Sequence, residues 1–321
     1  MSQIAEGVYE YEAGIYGIDS HYEADGRAAV YLVVDSGRVA MIDTAHNGAV
    51  KPVLEAMKKL GLSPDLVDYI CLTHVHLDHA GGAGTFMRTF ENAKLVVHAR
   101  GARHMAAPDQ LMEGVRAVYG AEETQRLYGE LVPVSAERIV TPEDGQCLKL
   151  GGRRIVCLDT PGHARHHLAY FDETAGAVFS GDIFGMSYPE LDRLDEGGRQ
   201  GVIPTTSPVQ FDPEGMIASM DRILALHPGR LFPTHFGEVR NPSQIAEDLK
   251  RQIGEYVRVA EESRGDIDRI RGGLTKVFEE EARAQSWPQP WHNVREFFAR
   301  EIEMNAQGLK VWYVNKSKKR S

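Results

Sequence analysis

The stretch Thr73-His74-Val75-His76-Leu77-Asp78-His79-Ala80-Gly81-Gly82 decides how this chain is read. Before it runs Leu66-Val67-Asp68-Tyr69-Ile70-Cys71-Leu72, an apolar, β-branched segment with the pattern of a buried strand. After it come small residues, then Phe86, Met87 and Phe90 at helical spacing. The polar side chains of the motif therefore sit where a strand ends and a helix begins. In extended chain, residues i and i+2 point the same way, so His74 and His76 can grip one ion together. Asp78 and His79 fall where the chain starts to coil, which turns them toward a second position nearby. A single histidine here would pass as a half-buried ring with a satisfied partner. Three histidines and an aspartate within six positions are better explained by a cation, which binds crowded imidazoles in their neutral form.

Bulk properties narrow the class. The 321 residues suffice for one large α/β domain with an appendage. With 36 basic and 46 acidic residues the net charge is -10, which argues against a nucleic-acid partner, since phosphate binding needs a basic surface. Cys71, Cys147 and Cys157 are too few and too widely spaced for a disulfide framework, and Cys71 and Cys157 lie in apolar runs as small hydrophobes. The first residues lack a basic stretch followed by an apolar one, and no run approaches the ~18 apolar residues of a membrane span. A cytoplasmic location without a membrane partner is expected.

Along the chain, residues 7–43 read as a meander of strands with a hairpin turn at Asp35-Ser36-Gly37. A helix is expected over 51–60, stopped by Gly61. Strands alternate with helices and then give way to hairpins, which suggests two sheets packed face to face with helices outside, an αββα sandwich. Residues 99–133 read as an inserted run of short helices near the edge of the site; His98 and His104 around it read as packing or surface histidines. The irregular segment 183–211 is long enough to cover a substrate, and Tyr188 is its most chemically able side chain, either for substrate or as a packing anchor. Helices are expected over 241–263, 267–285 and 293–306, the last burying Phe297, Phe298 and Ile302, before a solvated basic tail.

His-x-His-x-Asp-His at a strand-to-helix junction resembles the signature of the metallo-β-lactamase-fold hydrolases. Three further features resemble that family in the expected order. Arg154 to Asp159 is an apolar strand leading to Thr160-Pro161-Gly162-His163, Ala177-Val178-Phe179-Ser180-Gly181 leads to Asp182, and Arg230-Leu231-Phe232-Pro233-Thr234 leads to His235. The resemblance covers roughly residues 7–240. It implies an αββα catalytic domain over 1–240, a helical appendage over 241–313 and a basic tail over 314–321.

The resemblance also implies a site. His74, His76 and His163 would hold one divalent ion and Asp78, His79 and His235 another, with Asp182 bridging. Zinc suits such ligands, as do iron and manganese. Asp43 matches an early aspartate that orients ligands, and His167 matches the supporting histidine of Pro-Gly-His-x-x-x-His in the glyoxalase-II-like branch. The implied activity is hydrolysis of a small carboxylic ester, lactone or thioester by a metal-bridging hydroxide, with Asp78 and Asp182 as the catalytic carboxylates. Asp182 and the absent signal peptide separate the chain from the antibiotic-resistance enzymes, and His76 stands where flavodiiron reductases carry Glu. A mononuclear iron persulfide-dioxygenase-like enzyme, a phosphodiesterase and a non-enzymatic metal-binding protein are the alternatives. Every implied ligand precedes residue 236, so the aromatic-rich terminal helices are expected to serve a substrate pocket or a homodimer interface and not the ions.

Overall fold

The computed structural model describes residues 1–191, 200–206, 209–285, 287 and 294–320. The chain divides into two compact units, each discontinuous in sequence. The first comprises residues 1–159, 166–181 and 230–238, and the second comprises 160–165, 182–229 and 239–321.

In the first unit, strands β1 (Ser2–Ala5), β2 (Val8–Glu10), β3 (Ile15–Asp19), β4 (Ala29–Asp35), β5 (Arg38–Ile42), β6 (Val67–Cys71), β7 (Lys94–Val96) and β8 (Ile139–Val140) form one sheet in chain order. Pairing is antiparallel from β1 to β5 and parallel from β5 to β8. A second sheet carries β9 (Cys147–Leu150), β10 (Arg153–Asp159), β11 (Leu168–Asp172), β12 (Ala177–Gly181) and β13 (Arg230–Pro233). Its β12–β13 pair is parallel, whereas β9 to β12 pair as antiparallel neighbours. This is the two-sheet α/β sandwich expected from the sequence.

Period-two alternation sorts the side chains of the first sheet between two cores. Val30 and Leu32 of β4, and Val39 and Met41 of β5, pack beneath helices α1 (Val50–Lys59), α2 (Leu77–Ala80), α3 (Ala83–Thr89) and α4 (Ala99–Ala106). Tyr31, Val33, Ala40 and Ile42 face the other way, meeting Leu148, Ile155, Tyr170 and Phe179 of the second sheet. Strands covered on both faces read as continuous apolar runs, which is why β4 to β6 were legible. The insertion forms α4, α5 (Asp109–Tyr119) and α6 (Ala121–Tyr128). Met112, Leu127 and Tyr128 pack on Leu77 inside the histidine motif, so the insertion does border the site.

The second unit holds α7 (Pro213–Leu224), α8 (Pro242–Glu262), α9 (Ile267–Ala284), α10 (Val294–Phe297) and α11 (Ala299–Arg320). It has a core of its own: Tyr256 stacks on Phe278, and Phe298 lies against both Phe278 and Trp287. Trp287 and Phe298 are thus buried within this unit. Phe298 and Ile302 are buried as expected, whereas Phe297 is exposed; Trp291 lies outside the described residues. The tail is helical, not merely solvated. Lys316 donates to Glu261 of α8 at 2.6 Å and its ammonium lies 4.7 Å from the Trp312 ring centroid, which extends α11 past the expected stop.

Candidate metal centre

The motif leaves β6 extended and turns helical at Leu77. His74 and His76 do point the same way: His74 Nε2 lies 2.8 Å from His76 Nδ1. One helical turn later, Asp78 and His79 meet His235 from the loop after β13. Asp78 Oδ2 is 3.8 Å from His79 Nε2 and 3.5 Å from His235 Nε2. One donor atom from each of these three residues lies within 4.8 Å of the others.

Protons can be assigned here because the partners of the imidazoles only accept. His79 Nδ1 is 2.8 Å from Asp43 Oδ2, and His235 Nδ1 is 2.6 Å from the Arg27 carbonyl oxygen. Each Nδ1 therefore carries the hydrogen, so in the neutral ring, the form that binds a cation, the Nε2 facing Asp78 holds the lone pair. Asp43 is fully buried and accepts from the Thr73 amide (2.7 Å), the Thr73 hydroxyl (2.8 Å) and the Thr234 hydroxyl (2.7 Å) as well as from His79. Those four donors fix the carboxylate in place. The Thr73 hydroxyl spends its hydrogen on Asp43, so it accepts from His74 Nδ1 at 3.2 Å, which puts the lone pair of neutral His74 on the Nε2 that faces His76. Tyr31 braces the turn that carries His235 by donating to the Pro233 carbonyl at 2.6 Å and accepting from the Gly237 amide at 2.9 Å. The donors of this unit fit a divalent ion: imidazole lone pairs and a carboxylate converge, and the outward nitrogens are tied down.

His167 is buried with its ring 5.1 Å from that of His74, in keeping with a supporting role. Gly181 makes room for it, since a β-carbon there would meet His167 Nε2 at 2.5 Å. His166 went unremarked in the sequence. It is buried, 5.8 Å from the His76 ring and 6.3 Å from the His74 ring. The doublet His166-His167 beside His163 was the signal for it. Thr73 and Thr234, each one position ahead of a motif histidine, were likewise missed. Ordinary hydroxyls carry no mark until the fold brings both to Asp43.

Within the second unit, His163 Nε2 lies 3.4 Å from Asp182 Oδ2, and both residues are buried. His163 Nδ1 is 3.3 Å from the Thr205 carbonyl oxygen, again leaving the Nε2 lone pair toward the carboxylate. Gly162 sets the approach: its φ is +141° and a β-carbon would strike the backbone of Met216 in α7. Tyr188 is buried and donates to Glu301 of α11 at 2.9 Å, which is the behaviour of a packing anchor. Residues 192–199 and 207–208 of the expected substrate loop lie outside the described residues.

A model of the metallo-β-lactamase superfamily matches residues 24–235. The chain belongs to that superfamily. Its members are mostly hydrolases, and the fold implies divalent-metal binding. The metallo-β-lactamase fold-containing protein ST1585 of Sulfurisphaera tokodaii is 30% identical over 230 residues, 70% of this chain and 78% of the relative. A hydroxyacylglutathione hydrolase of Xanthomonas campestris is 30% identical over 233 residues, 71% of each chain. Among solved structures, the metallo-β-lactamase family protein TTHA1429 of Thermus thermophilus superposes with a TM-score of 0.64. It covers 95% of this chain and 94% of its own at 21% identity, a likeness of fold alone. No helix among the described residues is long and apolar enough to cross a membrane.

Proposed function

We propose that this protein is a dinuclear metal-dependent hydrolase of a small acyl substrate, with thioesters and esters ahead of lactones. One observation carries the reading. Asp43, Thr73, Thr234 and the Arg27 carbonyl set the tautomers of His79 and His235 so that both lone pairs meet Asp78. Burying these imidazoles and Asp43 around a polar centre costs several kcal/mol unless something charged is held there. His163 and Asp182 would complete the set, because they follow strands β10 and β12 as His235 follows β13.

Divalent ions held by His74, His76, Asp78, His79, His163, Asp182 and His235 would supply Lewis acidity and a water ionised near neutral pH. The protein's own part is to fix ring orientation and to manage protons. Asp78 and His76 are the partly exposed members of a mostly buried constellation, so substrate meets them first. The Asp78 carboxylate is best placed to take a proton from the attacking water and return it to the leaving group. The acyl preference is supported by the hydroxyacylglutathione hydrolase relative, whose substrate is chemically a thioester, and by the Pro161-Gly162-His163-x-x-x-His167 spacing. The acidic balance of the chain favours a small molecule over nucleic acid.

Elemental analysis of protein purified without added metal, joined to a panel of acyl thioesters, esters, lactones and phosphodiesters, tests the proposal. Two equivalents of metal and turnover on acyl substrates are expected. One equivalent of iron with oxygen-dependent turnover would replace it with a persulfide-dioxygenase-like activity, and cleavage of phosphodiesters alone would move it to that class.

A further inference from the structure

The terminal helix α11 reaches the support of His163 through one peptide bond. Asn305 of α11 is buried, and its Oδ1 accepts from the Thr206 amide at 2.7 Å. Its Nδ2 donates to the Pro204 carbonyl at 3.4 Å, and its own carbonyl accepts from the Thr206 hydroxyl at 3.3 Å. The Thr206 N–H and the Thr205 C=O belong to the same planar peptide unit, and in a trans peptide they point in opposite directions. Pinning the N–H on Asn305 therefore aims the carbonyl away from α11, and that carbonyl is the acceptor 3.3 Å from His163 Nδ1. Other groups hold the same strap. Gln252 of α8 donates to the Val202 carbonyl at 2.9 Å, and Met186 pairs with Ile203. Glu301, one turn before Asn305 on the same face of α11, accepts from Tyr188.

We propose that Asn305 is a positioning residue for His163, so that the terminal helices take part in holding metal. The inference rests on the reading of His163 as a ligand. An imidazole ligand needs its outer nitrogen occupied so that the inner lone pair is available and aimed, and loss of such an outer partner costs about 10–100-fold in metal affinity. Asn305 acts one link further out, through a rigid peptide, so the lower end of that range applies. Its side chain is also too deeply buried to be replaced by water without disturbing the strap.

The test is a chelator-competition measurement of zinc affinity on full-length protein, with the cobalt-substituted absorption spectrum as a second readout. Asn305→Ala is expected to release one ion about tenfold more readily, and to alter the cobalt bands in the sense that His163→Ala does. Asn305→Asp keeps the acceptor for the Thr206 amide and is expected to recover the affinity. In a His163→Ala background, Asn305→Ala should add nothing. Arg271→Ala, which breaks the half-buried ion pair from α9 to Glu303 of α11, should leave affinity unchanged. Should Asn305→Ala not fold, Asn305→Leu fills the space without the amide and carries the same comparison. A folded Asn305 variant with wild-type affinity, or one costing as much without His163 as with it, overturns the proposal. If His163→Ala itself leaves zinc content and affinity untouched, the ligand assignment is what fails.

Discussion

At the scale of single residues, Asp43 is the hub of the described centre, because a carboxylate with four donors dictates which nitrogen of His79 carries the proton. Asp43→Asn keeps the shape but offers an amide that can itself donate, so the ring loses its preferred tautomer. Metal affinity is expected to fall about 10–100-fold, read by chelator competition. His76→Ala should abolish turnover, whereas His104→Ala should stay within about tenfold, roughly 1.4 kcal/mol of barrier, in the same steady-state assay. Equal losses would mean that the site reaches further than the motif. Burial also decides the thiols. It pushes Cys157 up to about 12 and Cys71 well above its usual range, so neither forms a thiolate near neutrality. Native protein at pH 8 should react with thiol reagents at Cys147 alone, and denaturation should expose all three.

At the scale of elements, two short connections bear the constraint. Gly181 ends β12 with φ +49°, and a β-carbon would lie 2.5 Å from His167 Nε2 and 2.8 Å from Thr73 Cβ. Gly181→Ala combines backbone strain with overpacking and should cost about 1–3 kcal/mol, visible as a lowered urea midpoint. The start of α4 carries a pH dependence. His98 Nδ1 accepts from the Arg100 amide, which requires the neutral ring, and burial lowers its pKa below the ordinary 6.5. Above pH 6.5 the ring is neutral folded or unfolded. As pH falls below that value the unfolded chain takes up the proton first, so stability drops until the folded ring is protonated too. His98→Asn keeps a capping acceptor and removes the titration. The stability gap between wild type and this variant should therefore shift with pH only below 6.5, as followed by urea unfolding from pH 8 to 5.

For the whole molecule, the two units are woven, not strung end to end: the chain leaves the first unit after Asp159 and again after Gly181, each time to deliver a candidate ligand within a few residues. Removing everything after Ser263 would strip Phe278 from Tyr256 and leave the apolar face of α8 bare. Aggregated product is expected on expression, and the soluble fraction decides.

His74, His76, Asp78 and His79 were legible without a structure because adjacent residues on one backbone turn have their geometry dictated by local chain direction. Continuous apolar runs exposed the doubly covered strands for the same reason, and the first two helices of the appendage came within a residue of their expected bounds. The resemblance added His163, Asp182, His235, Asp43 and His167 by order along the chain. What only the tertiary structure decided is which groups finish the shell. Thr73 and Thr234 meet on Asp43 across 161 positions, Arg27 offers a backbone carbonyl to His235, and Asn305 grips the peptide whose other end holds His163. Hydroxyls, carboxamides and backbone carbonyls occur everywhere along a chain. Only the packing of the sheets and helices selects the few that lie within hydrogen-bond reach of a buried imidazole.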